Sequence, residues 1–151
     1  MKNWKKMMSA ALTAAMTVTM LAGCGGGETE KGSSDTIKIG GIGPVTGDAA
    51  IYGEAVKNGA ELAVKEINEA GGINGAQIEF NFQDDEADAE KAVNAYNTLK
   101  DWGMQALLGT VTSAPCVAVG EVAQADNMFL LTPSGTAVEC VQYDNAFRVC
   151  F

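Results

Sequence analysis

From Thr36 onward the chain alternates between two hydrophobic periods. "TIKIGGI" (36–42) places Ile37, Ile39 and Gly41 on one face of an extended segment and ends in the turn-rich "GPVTGD", as a strand feeding a loop does. Over 51–70 the period changes to three and four. Val56, Ala60, Ala63, Val64 and Ile67 form an apolar stripe, while Glu54, Lys57, Glu61, Lys65, Glu66 and Glu69 form a wet face, which predicts a helix. Gly71 and Gly72 follow, residues free to adopt the positive φ at which helices stop. "QIEFNFQ" (77–83) alternates Ile78, Phe80 and Phe82 against polar partners and predicts a second strand. "ADAEKAVNAYNTLKDWG" predicts a second helix with Ala89, Val93, Tyr96 and Leu99 or Lys100 on one side. "MQALLG" reads as a short buried strand, 114–125 as a third helix, "NMFLLT" as a fourth strand and "NAFRVCF" as the start of a fifth. Strands separated by helices of this length form right-handed parallel βαβ units, so the expected class is α/β, an open parallel sheet with helices on both faces.

The first 35 residues follow another pattern. Lys2, Lys5 and Lys6 precede an uncharged run over 7–22 rich in Ala, Met, Thr and Leu, the n-region and h-region of an export signal. The run is shorter than the ~20 strongly apolar residues a spanning helix needs and is diluted by Thr13, Thr17 and Thr19, so cleavage is expected rather than anchoring. Leu21-Ala22-Gly23-Cys24 resembles the bacterial lipobox, which implies diacylglyceryl transfer to Cys24 and a mature chain beginning there. Residues 25–35 carry no apolar side chain and read as a hydrated leash. The expected organisation is a signal peptide over 1–23, a linker over 24–35 and a ligand-binding lobe over 36–151.

Charge and composition narrow the partners. The chain carries ten basic and nineteen acidic residues; without the three signal lysines the balance is seven against nineteen, or −12. That argues against nucleic acid and against an anionic bilayer surface. There is no histidine, which removes Ser-His-Asp and Cys-His nucleophile systems and histidine-ligated zinc. With Cys24 lipidated, Cys116, Cys140 and Cys150 remain, an odd number that permits one internal disulfide without specifying it. Gly41-x-Gly43 between a strand and a helix suggests a dinucleotide fingerprint, but Thr46 occupies the third glycine position. The acidic pair Asp84 and Asp85 also lies well beyond the expected ~20 residues. No P-loop is present. The sequence therefore predicts no enzyme and no cofactor.

Polar residues gather instead at the carboxyl ends of the strands, where open α/β sheets bind ligands. "GTVTSAPC" places Thr110, Thr112 and Ser113 directly before a helix, whose N–H groups and dipole favour a carboxylate. Ser113 is equally suited to a simple N-cap. "TPSGTAVE" places Ser134, Gly135 and Thr136 on the neighbouring loop, where N–H and O–H groups would meet a carboxylate and C=O groups an ammonium. Tyr52, beside the loop after the first strand, is a candidate apolar wall. "DDEADAE" reads as a solvated loop and acidic helix start, with calcium binding as the alternative.

"IKIGGIGPVTGDAAIYGEAVKNGAELAVKEINEAGGINGAQIEF", "DDEADAEKAV", "LLGTVTSAP", "FLLTPSGTAVE" and "FRVCF" together resemble the first lobe of the leucine/isoleucine/valine-binding proteins. These are the substrate-binding components of branched-chain amino-acid ABC importers and have the type I periplasmic-binding-protein fold. The resemblance implies a serine after the third strand on the ligand carboxylate, matched by Ser113. It implies a small residue and a threonine after the fourth strand on carboxylate and ammonium, matched by Gly135 and Thr136. An aromatic residue lining the pocket is matched by Tyr52. A disulfide found in some relatives is missing, because its positions here are Ala87 and Thr112. Relatives close two lobes around the ligand; this chain reads as an amino-terminal fragment reaching the fifth strand, which predicts weak or no ligand binding and poor solubility by itself. The implied function is an extracytoplasmic lipoprotein that binds a branched-chain or related amino acid and serves ABC permease subunits. The same fold binding an amide or aromatic acid, or serving as a sensor, is the alternative, and a Rossmann-like enzyme the remote one.

Overall fold

The computed structural model describes residues 36–149. The signal stretch, Cys24, the linker and Cys150 lie outside the described residues. The elements in order are β1 (Ile37–Gly43), α1 (Ala50–Glu69), β2 (Ile78–Asp84), α2 (Ala89–Trp102), β3 (Ala106–Gly109), α3 (Ser113–Ala125), β4 (Leu130–Thr132), a 3-10 turn (Val138–Val141) and β5 (Ala146–Arg148). All strand pairs are parallel in the order β2-β1-β3-β4-β5. The chain thus moves outward once, to β2, and then returns across β1 to build the other half. That reversal puts the ends of β1 and β3 side by side, where a doubly wound sheet leaves a crevice.

Period-2 patterning divides the sheet into two unlike faces. On one, Ile42, Leu107 and Leu130 are buried to 0%, 1% and 0% exposure beneath α2 and α3, which pack on each other. Each such side chain contributes about 1.5–3 kcal/mol relative to exposure. On the other, α1 lies over β1 and β2, and Phe147 of β5 stacks on Phe129 at a centroid distance of 5.3 Å while both stay half-exposed. The glycines of "GGIG" belong to this packing. A Cβ on Gly41 would overlap the Phe82 ring, and one on Gly43 would come within 2.5 Å of Val111. Side-chain crowding therefore accounts for Gly41 and Gly43 without a phosphate.

Several expected boundaries and faces shift. In α1 the expected stripe is only partly covered: Val56, Ala60 and Val64 are half-buried, Ala63 is exposed and Ile67 is 38% exposed, while Lys57 on the wet side is half-buried. Among the described residues no second helix flanks α1 to seal its sides. In α2 the buried set is Ala92, Ala95, Tyr96 and Leu99, so of the expected side Tyr96 and Leu99 are buried while Ala89 and Val93 are only half-buried and Ala92 and Ala95 are added. The helix faces both the sheet and α3, which turns its buried side towards Ala92 and Ala95. Lys100 is held outside by Asp126 at 2.5 Å. Helix α3 begins at Ser113, one residue before the expected start. β3 and β4 are shorter than expected, beginning at Ala106 and Leu130, and the 3-10 turn is unanticipated. Gly71 and Gly72 adopt φ of 104° and 77°, as a helix stop requires.

Candidate functional site

Two loops leave the carboxyl ends of adjacent strands: 110–112 joins β3 to α3, and 133–137 joins β4 to the 3-10 turn. Side-chain hydroxyls stitch them together. Thr132 Oγ1 donates to the Thr110 carbonyl at 2.7 Å and accepts the Gly135 N–H at 2.9 Å. Ser134 Oγ donates to the Val111 carbonyl at 2.7 Å, and the Ala137 N–H donates to Ser113 Oγ at 3.4 Å. Thr110 Oγ1 donates to the Thr112 carbonyl at 3.1 Å, tightening the first loop. A Cβ on Gly135 would fall 2.7 Å from Thr132 Oγ1 and 3.0 Å from Cys140 Sγ, so this approach requires glycine.

The loops open onto a cavity of about 570 Å³ lined by Tyr52, Val111, Thr112, Ser113, Ser134 and Thr136. That size lies in the ~300–1,000 Å³ range of small-molecule sites. Of the seven positions singled out in the sequence, Tyr52, Thr112, Ser113, Ser134 and Thr136 meet here, while Thr110 is buried beneath the loop. Gly135 does not line the cavity; it is buried behind it, with its N–H on Thr132. Tyr52, 65% exposed, stands at the mouth.

The start of α3 supplies the electrostatics. Thr112 occupies the N-cap position, yet no side chain caps the helix and no acidic residue sits in its first turn. The helical ladder begins with the Cys116 N–H on the Thr112 carbonyl at 3.1 Å, and Pro115 has no N–H to offer. Ser113 and Ala114 therefore carry the N–H groups outside the ladder, at the positive end of the helix dipole. Thr112 Oγ1 is buried without a hydrogen-bond partner, a state that costs about 1–3 kcal/mol unless something completes it. N–H groups, a hydroxyl and a dipole end of one sign are the chemistry that suits a carboxylate.

Sequence reasoning did not reach two residues. Thr132 is the hydroxyl hub just described. Arg148, on β5, donates from Nη1 to the carbonyls of Thr136, Ala137 and Gly135 at 2.9, 3.2 and 3.4 Å. The carbonyls expected to face an ammonium thus already accept from a guanidinium. An arginine inside the otherwise apolar "AFRVC" is the signal that marks the second residue; a threonine ending a strand marks nothing by itself.

The acidic run has structural work. Asp84 accepts from the Val45 and Glu86 N–H groups at 2.9 Å each and from Thr46 Oγ1 at 2.5 Å. Desolvation pushes its carboxyl up, but these hydrogen bonds outweigh it and hold it below the ordinary value. Thr46, at the third position of the apparent dinucleotide fingerprint, is thus committed to a carboxylate. Asp88 caps α2 by accepting the Lys91 N–H at 2.9 Å. Among the described residues no cluster of three or more acidic or cysteine side chains is placed to hold a metal.

Comparison with known proteins agrees with this architecture. A family profile described as periplasmic binding protein matches residues 36–151. The chain is 37% identical over 116 residues to Leu/Ile/Val-binding protein homolog 3 of Brucella melitensis, covering 76% of this chain and 32% of that protein. It is 39% identical over 107 residues to the leucine-, isoleucine-, valine-, threonine- and alanine-binding protein of Pseudomonas aeruginosa, covering 71% and 29%. Among solved structures it resembles the branched-chain amino-acid transporter substrate-binding protein LivJ of Streptococcus pneumoniae, in complex with isoleucine. That match has a TM-score of 0.70 and 34% identity, over 74% of this chain and 32% of that one. The chain spans about a third of the length of the curated relatives it matches. From the parallel sheet, its strand order and a profile match covering every described residue, the chain belongs to the periplasmic binding protein family.

Proposed function

We propose that the chain is the amino-acid-binding lobe of an extracytoplasmic receptor serving an ABC importer, with a branched-chain or related amino acid as ligand. The observation that carries this reading is the cavity that gathers Thr112, Ser113, Ser134, Thr136 and Tyr52 around an uncapped helix start. The ligand carboxylate sits on the Ser113 and Ala114 N–H groups and on the Ser113 hydroxyl. With the second-loop carbonyls accepting from Arg148, the Thr136 hydroxyl meets the ammonium end, and Tyr52 and Val111 flank the aliphatic side chain. The relatives' names and their complexes with isoleucine and with leucine support the ligand class. Residues 1–23 direct export, and a lipid on Cys24 holds the receptor at the membrane on the leash over 24–35. Tethering raises its effective concentration at the permease subunits without a new contact.

Calorimetric titration of the mature gene product with leucine, isoleucine and valine tests the reading. Saturable binding is expected, weakened roughly tenfold or more by Ser113→Ala, because a hydrogen bond to a charged group contributes about 1.5–3 kcal/mol. A folded protein that gives no heat with any of the three would move the function to another ligand class.

A further inference from the structure

Immediately behind the loop that carries Ser134 and Thr136 lie two thiols. Cys116 is in the first turn of α3 and Cys140 in the 3-10 turn; they are 0% and 1% exposed. Cys116 Sγ approaches the Cys140 carbonyl at 4.0 Å, and Cys140 Sγ approaches the Ser113 carbonyl at 3.8 Å. A Cβ built on Gly135 would lie 3.0 Å from one sulfur and 3.4 Å from the other, so both sulfurs border the same small space. We infer that Cys116 and Cys140 are a disulfide site, oxidised in the exported protein, whose bond ties the start of α3 to the 3-10 turn and clamps the two site loops together from behind. Of the proposed function it takes only the extracytoplasmic location, since disulfides persist in oxidising compartments.

The chemistry balances with an external disulfide, R–S–S–R, as oxidant. The thiolate of one cysteine attacks it, releasing one RSH and leaving a mixed disulfide. The second cysteine then displaces the other RS group, so the Cys116–Cys140 bond forms as the oxidant's bond breaks and two RSH carry away the protons and electrons. Burial, with Cys140 beside it, pushes the Cys116 thiol up to about 12. A thiol so resistant to ionisation is a poor nucleophile once the fold has closed. The bond therefore forms while the 133–137 loop is still open, and burial afterwards shields it from reductants.

Trypsin cannot separate the two cysteines, because no lysine or arginine lies between Lys100 and Arg148. The test collects the exported protein under acid quench, alkylates free thiols in denaturant, and digests without reduction using trypsin and a glutamyl endopeptidase that cuts at Glu121 and Glu139. Mass spectrometry is expected to find the Cys116 and Cys140 peptides linked, separating on reduction. Recovery of both cysteines alkylated, or of either one linked to Cys150, would overturn the inference. The outcome is independent of ligand titration, so a receptor that binds no amino acid leaves it standing, and a receptor lacking this bond leaves the ligand reading untouched.

Discussion

Helices α2 and α3 begin with nearly the same backbone and opposite chemistry. Asp88 and Thr112, their N-cap residues, share φ of −103° and extended ψ of 130° and 152°. At α2 the Asp88 carboxylate accepts the Lys91 N–H and Glu90 adds a charge in the first turn. At α3 no side chain caps, no acid is present, and the Thr112 hydroxyl is buried without a partner. One helix end is completed by the chain's own carboxylate, whereas the other, beside the cavity, has none, and in the proposed function a ligand carboxylate takes that place. A cap is worth about 1 kcal/mol, so α3 forgoes a little stability that α2 gains.

The largest effect should come from removing what holds the uncapped end in place. Thr132→Val leaves the Thr110 carbonyl and the Gly135 N–H buried without their shared hydroxyl, at roughly 1–3 kcal/mol each. Denaturant unfolding should show a loss of about 2–4 kcal/mol, and ligand affinity should collapse as the loops part. Unchanged affinity would mean that Thr132 does not organise the site. Next in size is Thr112→Asp, which gives α3 the kind of start that α2 has. Its carboxylate should cap the helix and raise stability by about 0.5–1 kcal/mol while lowering amino-acid affinity roughly tenfold or more through like-charge repulsion. Stability and affinity moving together, in either direction, would break the comparison.

The two helix ends also show what could be read in the residues alone. Strand and helix order was legible because periods of two and of three to four are set by backbone geometry and survive any packing. The face that α2 buries was legible only in part, at Tyr96 and Leu99, since a helix touching both a sheet and a neighbour hides more than one stripe. Ala92 and Ala95 are buried there because α3 is present. Tyr52, Ser134 and Thr136 could be placed beside one another because each lies near the carboxyl end of a strand, and strand order brings those ends together. Thr132 and Arg148 work on backbone groups as many as 22 and 13 positions away, and partnerships of that kind leave no local pattern. The 3-10 turn spans four residues, too few for a periodicity. For Ser113, sequence allowed a cap or a ligand site. It is the first residue of the helix, with its oxygen accepting from Ala137 on the facing loop.

At the capped end the expected effects are smaller and confined to stability. Asp88→Ala should cost about 1 kcal/mol in denaturant unfolding and leave amino-acid affinity unchanged. A change in affinity would show that the two helix ends are coupled, a result the fold gives no reason to expect.

The smallest effect is a pH dependence beside that end. Asp85 is fully buried; its Oδ1 accepts the Ala87 N–H at 2.9 Å while Oδ2 has no partner. Desolvation, with the nearby Asp84 and Asp88 charges, pushes its carboxyl above the ordinary value, and the Ala87 N–H only partly offsets that. Because the folded state binds this proton more tightly than the unfolded state, the contribution is fully present below the unfolded value of 3.8 and is lost as pH rises through the raised folded value. Asp84 runs the other way, contributing stability above 3.8 that is lost as pH falls through its lowered folded value. Asp85→Asn keeps an oxygen for Ala87 and removes the titration. Unfolding measured across the acid range should therefore show the variant near wild type at the lowest pH and gaining on it as pH rises, since only the wild type must then bury a charge. A variant that instead loses ground as pH rises would mean that the ionised Asp85 is satisfied, and that the loop before α2, like the helix end itself, is a place where a carboxylate is wanted.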